Sequence, residues 1–217
     1  MPESSHTGEA IGALKPRDLV AMLDRIDVAD VAASNIDVDA IGRAIDPRKL
    51  GTHDLTSVLA AVNRLAEAGA DIGLSRMGPT TFARLMAHAT TDQVEAIMVD
   101  PVLRERVLGE IFRRMGAHLR QDRVKDLHAV VHWRLTGGSG EGGFDRYETV
   151  FRGGTCAVGR EMAEKPRVTV TLTPVDFLKL ISNNASAPVL FMTGKLKVRG
   201  DLAFAANLIG LFDLPRP

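Results

Sequence analysis

A single cysteine, Cys156, excludes an internal disulfide framework and fits a reducing compartment. Alone in a strand-like stretch, its thiol reads as a small packing group rather than a nucleophile. Charge of one sign is also missing. Lys plus Arg and Asp plus Glu stand at 27 each, so no global field favours nucleic acid or an anionic membrane. No apolar run reaches the ~20 residues of a membrane span. Met1 to Gly12 lacks the charged start and apolar run of a signal peptide. The expectation is a soluble cytoplasmic protein with no transmembrane segment and no nucleic-acid partner, long enough to bury a proper core.

Catalytic and metal motifs are equally scarce. The Thr193-Gly194-Lys195 triplet lacks the Gly at 189 and the Ser or Thr at 196 that a phosphate loop needs. The glycines of GGSGEGG lead into a strand, not a helix, and read as a loose hairpin. Gly138-Ser139-Gly140 in that hairpin has no strand-turn-helix setting for a nucleophile elbow. On one strand, His128 and His132 would stand ~13 Å apart, too far for one zinc ion. His6, His53, His88 and His118 are scattered. Neither enzyme activity, nor a metal, nor a cofactor has support in the sequence.

What is present divides into two grammars. Helical signals dominate to about residue 120. Pro16 opens a segment with Leu19, Met22, Leu23 and Ile26 on one face. Asp37 caps a short helix that stops before Asp46-Pro47. Leu55, Val58, Leu59, Val62 and Leu65 align in the next, with Gly69 as its stop. Phe82, Leu85, Met86 and Ala89 follow, then a helix capped by Thr91. Asp100 caps a longer helix that opens at Pro101 and packs on a sheet. After residue 126 the period becomes two: Leu127, Ala129, Val131, Trp133 and Leu135 alternate with His128, Val130, His132, Arg134 and Thr136. FDRYETVFRGG, TCAVGREM and PRVTVTLT continue as strands. Thr173-Pro174 opens another helix, NNASAP is a loop, FMTGKLKVRG is a last strand, and Asp201 caps a final helix. The expected organisation is a tail at 1–13, a helical module at 14–90 and an α+β domain at 91–217.

The final segment raises the functional question. Leu202 to Phe212 holds one polar side chain, Asn207, whereas helices of ordinary soluble domains have one apolar stripe. It could be core, a self-association face, or the wall of an apolar cavity. Bulky apolar residues cluster nearby: Phe177, Leu180, Ile181, Phe191, Met192, Leu196, Val198, Phe204, Leu208 and Phe212. A cavity walled by them would take a hydrocarbon-like ligand by area burial. Lys195, Lys197 and Arg199 form a basic stripe beside it, a solvated face or a headgroup contact through Lys195 and Lys197.

The stretch LTPVDFLKLISNNASAPVLFMTGKLKVRGDLAFAANL resembles the C-terminal signature of the sterol carrier protein 2 family. The similarity rests on Thr173-Pro174-x-Asp176-Phe177, on Phe191-Met192-x-Gly194-Lys195-Leu196-Lys197, and on Gly200-Asp201 before the apolar final helix. It covers roughly residues 91–217; residues 1–90 match no part of that domain. It departs at SNNASAP, where the family often has a Gly- and Lys-containing stretch, and PRP is no peroxisomal address. The resemblance implies an α+β fold, a five-stranded sheet covered by helices over an apolar tunnel. It implies non-catalytic binding of sterols, fatty acids, fatty acyl-CoA or phospholipids, the ten residues above forming the wall. Two other readings stay open. One is a protein-interaction module whose last helix docks on a partner or a second copy in a homo-oligomer. The other is an enzyme that uses this fold as an accessory to acyl transfer.

Overall fold

The computed structural model describes residues 16–25, 37–69 and 73–213. The expected tail at 1–13 and Ile26 lie outside them. The chain separates into two compact units, one ending at Glu110 and one beginning at Ile111.

The first unit is helical: α1 (Pro16–Arg25), α2 (Val38–Ala44), α3 (Thr52–Glu67), α4 (Pro79–His88), α5 (Thr91–Val99) and the first turns of α6 (Pro101–Ala117). Leu55, Val58, Val62 and Leu65 of α3 are buried, as their spacing predicts, while Leu59 is only half-buried and Ala61 takes its place on the covered face. The short helices are held by polar ties as well. Arg84 donates to the carbonyl oxygens of Gly42 and Ile45 at 2.6 and 3.0 Å. Gln93 donates to those of Pro47 and Leu50 at 2.8 and 3.0 Å. Asp37 caps α2 as expected, and Asp100 accepts from the amides of Val102 and Leu103. Thr90, not Thr91, caps α5. It forms a reciprocal box with Gln93, which only that register permits.

The second unit holds the end of α6, α7 (Gln121–Val124), β1 (Ala129–Thr136), β2 (Phe144–Arg152), β3 (Thr155–Gly159), β4 (Val168–Leu172), α8 (Pro174–Ile181), α9 (Ala187–Met192), β5 (Lys197–Gly200) and α10 (Leu202–Asn207). The five strands form one mixed sheet in the order β3-β2-β1-β4-β5, with β1 and β4 parallel and the other pairs antiparallel. This is the α+β architecture that the sequence implies. Register puts Val131, Trp133, Leu135, Tyr147, Phe151, Val168, Val170 and Leu172 on one buried face. The other face carries His132, Arg134, Arg146, Glu148, Lys197 and Arg199, so the sheet is covered on one side and polar on the other.

An aromatic cluster fills the covered face over β2 and β1. The Phe112 ring of α6 stacks on Tyr147 at 3.9 Å and on Phe177 of α8 at 5.0 Å. Trp133 meets Phe112 and Phe177 edge-on at 5.8 and 5.5 Å. Its indole N–H donates to Thr149 Oγ1 at 2.6 Å, which locks the ring and satisfies a donor that burial would otherwise strand.

Two local expectations are corrected. The segment from Phe191 is not one strand: Ser186 caps α9, Pro188 sits in its first turn, and the strand is only Lys197–Gly200. Gly194 stops α9 with a left-handed φ of 72°, while the amides of Lys195 and Leu196 both donate to the Leu190 carbonyl. Nor is the apolar tail one helix. It is α10 followed by a 3-10 turn, Leu208–Leu211, after which Phe212 pairs with Leu119. The amide of Asp213 donates to the His118 carbonyl and that of Arg120 to the Leu211 carbonyl, and Phe212 packs on Phe151 at 5.9 Å. These bonds draw the chain out of its helix.

Candidate functional site

Beside the aromatic cluster, over β1, β4 and β5, the same sheet face is hollow. A cavity of about 250 Å³ lies there. Its floor is one register line across three strands, Trp133, Val170 and Val198. Leu180 of α8 and Leu196 before β5 close two sides. From α9 come Ala187, Pro188 and Phe191. The last wall is Leu202, Ala205 and Ala206 of α10 with Leu208 and Ile209 of the following turn.

Every lining side chain is apolar or, for Trp133, has its one polar atom bonded elsewhere. Such a cavity offers nothing to orient a small polar substrate and no group to move a proton. It does offer area. Burying ~200 Å² of alkyl surface is worth about 5 kcal/mol, or about 0.8 kcal/mol per methylene.

Five residues singled out for bulk line the cavity: Leu180, Phe191, Leu196, Val198 and Leu208. The other five are elsewhere. Phe177 is fully buried in the aromatic cluster, and Ile181 is half-buried outside the lining. Met192 is 84 % exposed. Phe204 lies under the Arg167 guanidinium at 4.4 Å, and Phe212 packs on Phe151. Lys195 and Lys197 are exposed and are not part of the wall.

The wall residues that bulk does not pick out are Trp133, Val170, Ala187, Pro188, Leu202, Ala205, Ala206 and Ile209. A signal for the tail was available. Leu202, Ala205, Ala206 and Ile209 follow i, i+3, i+4, i+7 spacing, the mark of one helical face. Their alanines are small, and small residues on a covering helix leave room where large ones fill it.

The start of α10 is tied down beside this wall. Asp201 Oδ1 accepts from the Phe204 amide at 2.8 Å, and Oδ2 accepts from Arg167 Nε and Nη2 at 2.9 and 2.7 Å. The Phe204 amide and then the Arg167 guanidinium hold the Asp201 carboxyl below its ordinary value. Gly200 makes this approach possible. Its φ is 108°, and a Cβ there would stand 2.4 Å from the Arg167 carbonyl oxygen.

On the opposite sheet face, Glu148 Oε2 pairs with His132 Nε2 at 3.0 Å and accepts from the Glu164 amide at 2.9 Å. Burial pushes its carboxyl up, but these bonds outweigh that and hold it below the usual range. His132 thus braces a loop, a role its alternation pattern does not disclose. Burial pushes the Cys156 thiol up to about 12, which leaves it unreactive. Among the described residues no three His, Cys, Asp or Glu side chains are placed to hold a metal ion, and no helix is long and apolar enough to cross a membrane.

Comparison with known proteins places this unit. Residues 108–213 match the family model of the SCP-2 sterol transfer family. The human protein named hydroxysteroid dehydrogenase-like protein 2 is 31 % identical over 119 residues, 55 % of this chain and 28 % of that protein. The oleate-induced peroxisomal protein POX18 of Candida maltosa is 40 % identical over 68 residues, 30 % of this chain and 54 % of that protein. Among solved structures, the apo form of sterol carrier protein 2 from Yarrowia lipolytica aligns with a TM-score of 0.42 and 23 % identity, over 54 % of this chain and 94 % of that one. The hydroxysteroid dehydrogenase-like relatives are much longer, the matched segments spanning 18 to 28 % of their length.

Proposed function

We propose, from the match of residues 108–213 to the family model of the SCP-2 sterol transfer family, that this domain binds one apolar lipid in the cavity over β1, β4 and β5 and does no chemistry on it. The observation that carries the reading is the wall itself: a hollow of about 250 Å³, floored by Trp133, Val170 and Val198, with no polar group turned into it. Apolar area is the only recognition such a wall offers, so the ligand class is one defined by hydrocarbon: a fatty acid, a fatty acyl-CoA, a phospholipid chain or a sterol. A polar head would remain outside the wall, where Lys195, next to the lining residue Leu196, is exposed; Lys197 stands on the opposite sheet face.

Native mass spectrometry of the full chain purified from its own host tests this. The expected result is a single co-purified lipid, displaced stoichiometrically by an added long-chain fatty acid. Protein that carries no lipid and takes up none after delipidation would contradict the reading.

A further inference from the structure

The sheet face turned away from the cavity is uneven in charge. Over β2 its cations are matched by acids. Glu148 is buried against His132 and the Glu164 amide. Glu164 accepts from Arg152 at 2.9 Å, and Glu141 from Arg146 at 2.7 Å. Over β1, β4 and β5 the strands carry no acid. Register sets Arg146, Arg134, Thr171 and Lys197 in one row across four strands, with Arg199 beside Thr169 in the next. Lys197 and Arg199 are exposed and stand ~7 Å apart along β5, and Arg134 lies ~10 Å inward. Among the described residues no acidic side chain pairs with Arg134, Lys197 or Arg199. Arg134 and Arg146 also face each other directly across the strands, a like-charge pair that costs a sheet stability. A chain with no net charge thus gathers unmatched positive charge on one part of one face. Lysine on an edge strand guards against self-association, but that does not account for Arg134 on the central strand.

β5 is itself an edge of the sheet. The Asp201 amide donates to the Arg167 carbonyl. In the antiparallel ladder Arg199 and Lys197 therefore turn their backbone groups toward β4, and Val198 and Gly200 turn theirs outward. We propose that an acidic, extended segment of a partner protein adds to the sheet along β5. Its backbone pairs with Val198 and Gly200. Its alternate side chains, carboxylates, fall on the uncovered face beside Lys197 and Arg199. Arg134, two strands inward, adds to the field that draws the acids in. The face selects against other occupants. A second copy paired through its own β5 sets Lys197 and Arg199 against their like. A bilayer needs apolar side chains that sink, and none of the described residues on this face is an exposed large apolar one. A single-stranded nucleic acid needs open rings for its bases, and the ring at this face, Phe144, lies under Arg134 at 6.0 Å. Nothing in this inference depends on what the cavity binds.

The test is fluorescence anisotropy of the full chain with a labelled peptide, Thr-Glu-Val-Glu-Val-Glu-Thr. Two controls accompany it: the same residues reordered as Glu-Glu-Glu-Thr-Val-Val-Thr, and the basic peptide Thr-Lys-Val-Lys-Val-Lys-Thr. The alternating acidic peptide should bind about tenfold tighter than the reordered one, because only alternation puts every carboxylate on one face of a strand. The double variant Lys197→Glu/Arg199→Glu should weaken it about tenfold or more and should gain binding to the basic peptide. A misfolded protein would not show that exchange of preference. Arg134→Thr should weaken the acidic peptide by about two- to threefold. No binding of the alternating peptide, or equal binding of the reordered one, would overturn the proposal. So would a double variant that holds the acidic peptide as well as the parent does. Binding of phosphatidylglycerol vesicles or of an oligonucleotide, lost in the double variant while the parent ignores the peptide, would assign the face to phosphate instead. Concentration-dependent dimerisation lost in the double variant would assign it to a second copy and overturn the proposal equally.

Discussion

The covered face of the sheet has two halves that begin alike and end differently. Over β2 and β1, the rings of Phe112, Tyr147, Trp133 and Phe177 stack and meet edge-on at 3.9 to 5.8 Å. Over β4 and β5 the floor is Val170 and Val198, and the cover is Ala187, Ala205 and Ala206 with leucines around them. Both halves are equally apolar. What differs is the size of the side chains on the covering helices, and the difference separates a load-carrying core from a receptor. Trp133 stands on the border, one edge in each half.

Four substitutions sharpen or break that contrast. Phe177→Ala removes the keystone of the filled half. A loss of about 3–5 kcal/mol in unfolding free energy is expected, read by urea denaturation. A loss under ~1 kcal/mol would mean that the cluster is not what holds the sheet. Ala205→Phe carries the packing rule of the filled half into the hollow one. Uptake of a fatty-acid probe should fall about a hundredfold, while stability changes by less than about 2 kcal/mol because the new ring enters existing space. Thr149→Val strands the indole N–H of Trp133 at the border. It should cost about 1–3 kcal/mol and shift the emission of the protein's one tryptophan. Asp201→Asn touches only the fastening of α10. The folded-state pKa of Asp201 is depressed below its ordinary 3.8, so its contribution is complete above that value and is lost as pH falls through the lower folded value. The stability difference between parent and Asn variant should therefore be small at neutral pH and vanish in strong acid, as followed by thermal melts.

Much of this architecture is legible in the sequence because the deciding interactions are local. The period-two stretch around Trp133 gives β1, the Thr173-Pro174 start gives α8, and Asp201 gives the cap of α10. The boundaries of α9 and β5 are misread because Gly194 and Leu190 decide them jointly, through two amides converging on one carbonyl. The break after Asn207 depends on Leu119 and His118, some ninety residues away. The cavity wall is half legible for a different reason. Bulk marks residues that fill space, so ranking by bulk finds Phe177 and Phe212, which pack. It passes over Ala205 and Ala206, whose smallness is what leaves the hollow. A hollow is read from the small residues on a face that faces apolar neighbours, and the spacing of Leu202, Ala205, Ala206 and Ile209 carries that information.

The most direct test of the central claim is a titration of Trp133 emission with a long-chain fatty acid, on delipidated parent protein and on Ala205→Phe. The account predicts a saturable one-to-one change in the parent, abolished over the same range in the variant. No saturable change in the parent, or the same curve from both proteins, would contradict it.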